Sequence, residues 1–133
     1  MAVQLSVAAR NALLDAIETA TGATAIMRIR TGAAPANCAA ADTGTVVATI
    51  TLPADWMAAA SAGTKSLLGT WQDTAADATG TAAHFRIYDS AGTTCHIQGT
   101  VGTSASDLIV DSVSFTAGQQ FTVTAFTLTA PNA

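Results

Sequence analysis

Charge is scarce in this chain. Only 11% of the 133 residues are charged, against about 25% in ordinary soluble domains. Basic residues are fewest, five in all with a single lysine. Arg10, Arg28, Arg30, Lys65 and Arg86 are spread along the length without clustering. Gripping a phosphate backbone needs concentrated positive charge, so nucleic acid is not expected as a partner. The same scarcity argues against an anionic membrane surface. Cysteine is rare as well. Cys38 and Cys95 stand far apart and form neither a C-x-x-C pair nor a ligand cluster. A bond between them is left open, and Cys95 is expected to point inward as a small hydrophobe. No stretch approaches about 18 strongly apolar residues, so no helix is expected to span a membrane. Met1 to Leu5 lacks the basic and then apolar opening of a secretory signal.

What remains is globular rather than disordered. Hydrophobic residues make up 50%, and the length suits one domain, 1–133, able to bury a core without metal or disulfide staples. Ala and Thr supply roughly two fifths of the chain, far above ordinary usage. Large core formers are therefore modest in number, and the aromatics are Trp56, Trp71, Tyr88 and four Phe. With so little charge, the solvent-facing positions must be mostly Thr, Ser, Ala, Gly and Gln. Such a surface loses little on desolvation and suits a subunit of a large assembly better than a free-standing cytosolic protein.

The spacing predicts one amphipathic helix, capped by Ser6, running from Val7 to about Thr21 and closed by Gly22. Ala9, Leu13, Ala16, Ile17 and Ala20 form its apolar stripe, widened by Ala12 and Leu14, and this stripe is expected to pack on the body. Arg10, Asn11, Asp15, Glu18 and Thr19 fill the other side. The period then changes to two. Strands are expected over 25–30, 44–52, 65–71 (weakly), 83–88, 94–98, 108–113 and 119–129, with a short helical turn over 56–60. Ser90-Ala91-Gly92 reads as a three-residue hairpin loop, placing Ile87 opposite Cys95 and Phe85 opposite Ile97. In the last strand the apolar phase shifts from Phe121 and Val123 to Phe126 and Leu128, which implies a bulge or a crossing between sheets. The expected fold is mainly β: a β-sandwich, the jelly roll being one form, with one N-terminal amphipathic α-helix.

Chemistry-bearing motifs are sparse. His84 and His96 fall on the same face of the hairpin, but a zinc site needs three or four converging ligands, so both are read as surface or interface residues. Asp73, Asp77, Asp89, Asp107 and Asp111 make no calcium loop, and Asp89 and Asp107 fit turns in which a carboxylate accepts backbone amides. There is no G-x-S-x-G elbow and no phosphate-cradling glycine loop. Neither catalytic residues nor cofactors are expected. Trp56 and Trp71 are weighed between core packing and a role as interface anchors.

The opening SVAARNALLDAIETATG with TGAAPAN, and Ala76 to Thr129 (ADATGTAAHFRIYDS through TVTAFTLT), resemble small virion structural proteins of tailed bacteriophages and prophages. The resemblance covers both ends of the chain, with Asp55 to Trp71 least distinctive. It implies a particle component made in the bacterial host cytoplasm, foremost a capsid cement or decoration protein on the capsid exterior. Its partners would be the major capsid protein and neighbouring copies of itself, as a dimer or trimer. A minor tail protein is the alternative within the class, and a small carbohydrate- or ligand-binding β-module lies outside it. The segment ahead of the helix, Met1, Ala2, Val3, Gln4 and Leu5, is the candidate to add to a neighbour's sheet.

Overall fold

The computed structural model describes residues 2–133. Helix α1 (Val7–Thr21) starts and stops as the caps predict. The Ser6 hydroxyl accepts from the Ala9 amide at 3.1 Å, and the Gly22 amide donates to the Glu18 carbonyl at 2.9 Å. Gly22 has φ +92°, a left-handed value that favours glycine.

Among the described residues ten strands follow: β1 (Ile26–Arg30), β2 (Val46–Thr51), β3 (Thr64–Ser66), β4 (Gln72–Asp73), β5 (Gly80–Thr81), β6 (His84–Tyr88), β7 (Cys95–Gly102), β8 (Leu108–Val110), β9 (Ser114–Phe115) and β10 (Phe121–Thr129). The main sheet runs β2-β1-β6-β7-β8-β10-β3, with β4 also on β10, while β5 and β9 pair separately. β7 and β8 run parallel. The chain is thus mainly β with one N-terminal helix, as the sequence predicts.

The sheet curls. Phe85 of β6 meets Phe126 of β10 edge-on, with centroids 5.6 Å apart, although β7 and β8 lie between those strands in the sheet. Its two halves therefore face each other across one core, the layer relation of a sandwich in half-barrel form. Trp71 extends the aromatic contact, 5.4 Å from Phe126, and Trp56 lies 6.0 Å from Trp71. Both indoles are fully buried, and each nitrogen finds a carbonyl: Gly22 for Trp56 and Leu68 for Trp71. The two tryptophans belong to the core and are not displayed as interface anchors.

Three local expectations are corrected. Residues 56–60 form no helical turn; Met57 bridges to Leu67, and the Ala58 and Leu68 amides donate to Ser66 and Trp56 carbonyls. That long-range pairing satisfies backbone groups that a single helical turn would leave open. The β6–β7 hairpin has a four-residue loop rather than three, because the Asp89 carboxylate gathers the Thr93 and Thr94 amides and the Asp89 amide donates to the Thr94 carbonyl. A bulge at His96 then shifts the register again. Ile87 faces Ile97, Arg86 faces Gln98 and Tyr88 faces Cys95. Cys95 consequently lies on the sheet face away from the core, not inward.

The bulge expected in the last strand is present, between Val123 and Ala125 of β10. It lets Phe121, Val123 and Phe126 all reach the core. Phe126 touches the aromatic groups of both sheet halves, so Phe126→Ala should cost about 3–5 kcal/mol, read as a lower midpoint in equilibrium urea unfolding.

Candidate functional site

The face of the sheet that points away from the core is polar and roofed. β1 contributes Arg28 and Arg30; β6 contributes His84, Arg86 and Tyr88; β7 contributes Cys95 and Gln98. Over them lies the loop between β1 and β2, so that all five residues of β6 are buried. Arg86, 2% exposed, is the centre of this roof. Its Nη2 donates to the carbonyls of Asn37 and Cys38, and its Nη1 to that of Ala40 and to the Asp42 carboxylate. Gln98 donates to the Pro35 carbonyl at 2.7 Å. Nδ1 of His84 sits 2.7 Å from the Gly32 carbonyl, which can only accept, so the proton is on Nδ1. His84 is therefore a buried roof contact rather than a surface residue. His96 is exposed, and the two histidines do not converge.

Asp42 binds three partners: Arg86, Arg30 at 3.0 Å and the Tyr88 hydroxyl at 2.6 Å. Burial works against its charge, but the hydrogen bonds from Tyr88 and Arg86 and the adjacent Arg30 outweigh this and hold the carboxyl below its ordinary value. Burial and the hydrogen bond to Asp42 together push the Tyr88 phenol up. Arg28 completes the cluster by stacking 4.8 Å from the Tyr88 ring centroid and donating to the Gly92 carbonyl. The polar groups here are largely consumed by the loop they hold down.

A second polar cluster docks the helix, and here the predicted orientation is corrected in part: Leu14 and Ile17 of the expected stripe do face the body, but the rest of the stripe does not. Arg10, Leu14 and Thr21 are buried, with Asn11, Ile17 and Glu18 half-buried, whereas Ala9, Ala12, Leu13, Ala16 and Ala20 face solvent. The body beneath α1 offers loop backbone groups that need partners, and the helix's polar side supplies them. Arg10 donates to the Ala130 carbonyl; Asn11, Glu18 and Asp15 accept the amides of Gly63, Met57 and Ala60. Gly63, at φ +75°, leaves no room for a side chain under the Arg10 guanidinium. Buried Lys65 joins Asp15 at 2.7 Å and Glu18 at 2.9 Å. Burial would strip its proton, but the bonds to those two carboxylates prevail and hold the ammonium above its ordinary value. A cleft of about 420 Å³ opens beside this pair. Two of its acids, Asp15 and Glu18, are already engaged by Lys65 and backbone amides. Leaving those amides unpaired would cost more than alanines gain by burial, which is why the polar side wins.

The outward side of α1 is an exposed apolar strip. Ala9, Leu13, Ala16 and Ala20 repeat at spacings of four, three and four, the seam pattern of a helix that packs on another surface. Leu13 is 50% exposed. Next to its N-terminal end, Ala2 to Gln4 are exposed, and the Leu5 amide donates to the Asn132 carbonyl. Met1 lies outside the described residues. All five basic side chains are buried or half-buried, so among the described residues the surface presents no exposed cation.

No protein-family model, curated protein or solved structure matches the chain. Among the described residues no group of three or more His, Cys, Asp or Glu is placed to hold a metal ion. The aspartates serve the fold: Asp89 caps the hairpin, Asp107 accepts from the Thr100 amide and hydroxyl, Asp73 and Asp77 meet at Thr49, and Asp111 faces the Thr122 amide. The turn roles expected for Asp89 and Asp107 are present. Nothing in the sequence pattern signalled the Asp42–Arg86–Tyr88 cluster, because its members lie in a loop and on a face expected to be solvated.

The contribution of the Asp42 ion pairs has a definite pH sign. Asp42 is depressed in the folded state, so its contribution is complete above the unfolded value of about 4 and is lost as pH falls through the lower folded value. Asp42→Asn should cost about 2 kcal/mol near neutral pH, less than the 3–5 of a fully buried pair because the Asp42 side chain is 37% exposed. Its deficit relative to wild type should shrink towards about pH 3, as urea titrations at the two pH values would show.

Proposed function

We propose that this chain is a structural subunit of a tailed-phage particle, acting as a cement or decoration protein that binds across neighbouring major capsid subunits on the shell exterior. The observation that carries this reading is the orientation of α1. Its charged side chains Arg10, Asp15 and Glu18 are all bonded to the body, though Asp15 stays half exposed, and the uncharged strip Ala9, Leu13, Ala16 and Ala20 is left facing out. A soluble helix normally does the reverse. Apolar area exposed beside an exposed segment without regular secondary structure, Ala2 to Gln4, gives a partner both a surface to cover and a stretch of chain free to pair as a strand.

The physics suits a shell. A subunit that binds only the assembled lattice stabilises it by mass action, and many weak symmetric contacts sum through multivalency. A surface on which the described residues present no exposed basic side chain has little long-range attraction for polyanions, so its contacts depend on close fit. Copies of the chain are proposed to associate as a dimer or trimer on the lattice, in keeping with the symmetry of most oligomers.

Leu13→Glu combined with Ala16→Glu places charge on the outward strip without touching the docked side of α1. Circular dichroism and melting temperature should stay near wild type, while occupancy on particles lacking the protein should fall at least about tenfold, equivalent to about 1.4 kcal/mol. Deleting Met1 to Gln4 should likewise weaken particle binding and leave the isolated domain folded. Full occupancy by both variants would reject the proposal, and a particle map placing the chain in the tail would reject the capsid assignment.

A further inference from the structure

Cys38 and Cys95, separated in sequence, are brought to one small cavity of about 260 Å³ under the roof loop, which they line together with Asp42, Arg86, Tyr88 and Thr93. Arg86 fixes one side of it, since its Nη2 holds the Cys38 carbonyl at 2.8 Å. The sheet fixes the other, since Cys95 pairs in register with Tyr88 at the bulge, and its thiol lies 3.4 Å from the Ile97 carbonyl. Both thiols are free and half-buried. They sense each other directly: burial and then the neighbouring Cys38 thiol raise the Cys95 thiol to about 11. No other cysteine exists to compete.

We propose that Cys38 and Cys95 are a redox clasp, which on oxidation forms an intramolecular disulfide and locks the roof loop onto the sheet. The bond would join the two elements that Arg86 and Asp42 already hold together. With a small-molecule disulfide as oxidant, a thiolate of one cysteine attacks a sulfur of the reagent, giving a mixed disulfide and one released thiolate. The second cysteine gives its proton to solvent and displaces the other half. The protein loses two hydrogens, and the reagent is reduced to two thiols. The high value at Cys95 makes closure slow near neutral pH and faster in alkali, since the thiolate is the attacking form.

The timing rests on the virion reading: thiols stay reduced in the host cytoplasm, and the clasp closes once particles enter an oxidising medium. The bond itself does not rest on that reading, and its test uses the purified full chain with no particle present. Incubation with oxidised glutathione should remove both titratable thiols, lower the mass by about 2 Da with no retained glutathione, and yield a linked Cys38–Cys95 peptide. The melting temperature should rise by about 10 °C and return on reduction. Cys38→Ser and Cys95→Ser should each abolish the rise while melting near the reduced wild type. In the oxidised protein the penalty of Asp42→Asn should also shrink, because the clasp now holds the loop. Stable glutathione adducts on either cysteine of the wild type, links only between molecules, or a bond that lowers the melting temperature would each overturn the proposal.

Discussion

A guanidinium can be buried only where acceptors meet it, and Arg86 meets that condition with three loop carbonyls and one carboxylate. Those acceptors come from residues 37–42, which have no regular secondary structure of their own. The loop is shaped around Arg86, and the second face of the sheet is covered because the loop is there. Without it β1, β6 and β7 would expose Arg30, His84 and Tyr88 to water, and β6 would be buried on one side only. The curled sheet thus has two interiors: an apolar one lined by Phe85, Trp71 and Phe126, and a polar one organised by a single cation.

The helix repeats the same logic at the far edge. Arg10 and Lys65 are satisfied by a carbonyl and by two carboxylates, so polar groups act as the adhesive between α1 and the sheet. The cost falls on the outside, where the Ala/Leu strip has no partner within the chain. A fold that spends its few cations internally leaves an exterior whose charge is acidic, with Asp55, Asp77, Asp107 and Asp111 exposed.

Much of this was legible in the sequence. Cap chemistry at Ser6 and Gly22 located the helix, alternation located the principal strands, and the phase shift in the last strand marked a bulge that exists. Other features were hidden because they depend on partners distant in sequence. Hydrophobicity alone puts the whole apolar stripe of α1 inward; Leu14 and Ile17 do point in, but the side chains that meet the amides of Met57, Ala60 and Gly63 turn Ala9, Leu13, Ala16 and Ala20 outward. The hairpin register moved because the Asp89 side chain rebuilt the loop, carrying Cys95 to the opposite face and next to Cys38. His84 appeared to be a surface residue because nothing in a loop of Gly, Ala, Pro and Asn announces that it will lie over a strand.

The seclusion of every basic side chain has a consequence for proteolysis. Trypsin must draw an extended segment around a lysine or arginine into its cleft, and here each such residue sits in a strand, in the helix or beneath the roof, anchored by its own head group. Cleavage then waits on opening of the structure around these residues, so digestion by this protease gauges that opening.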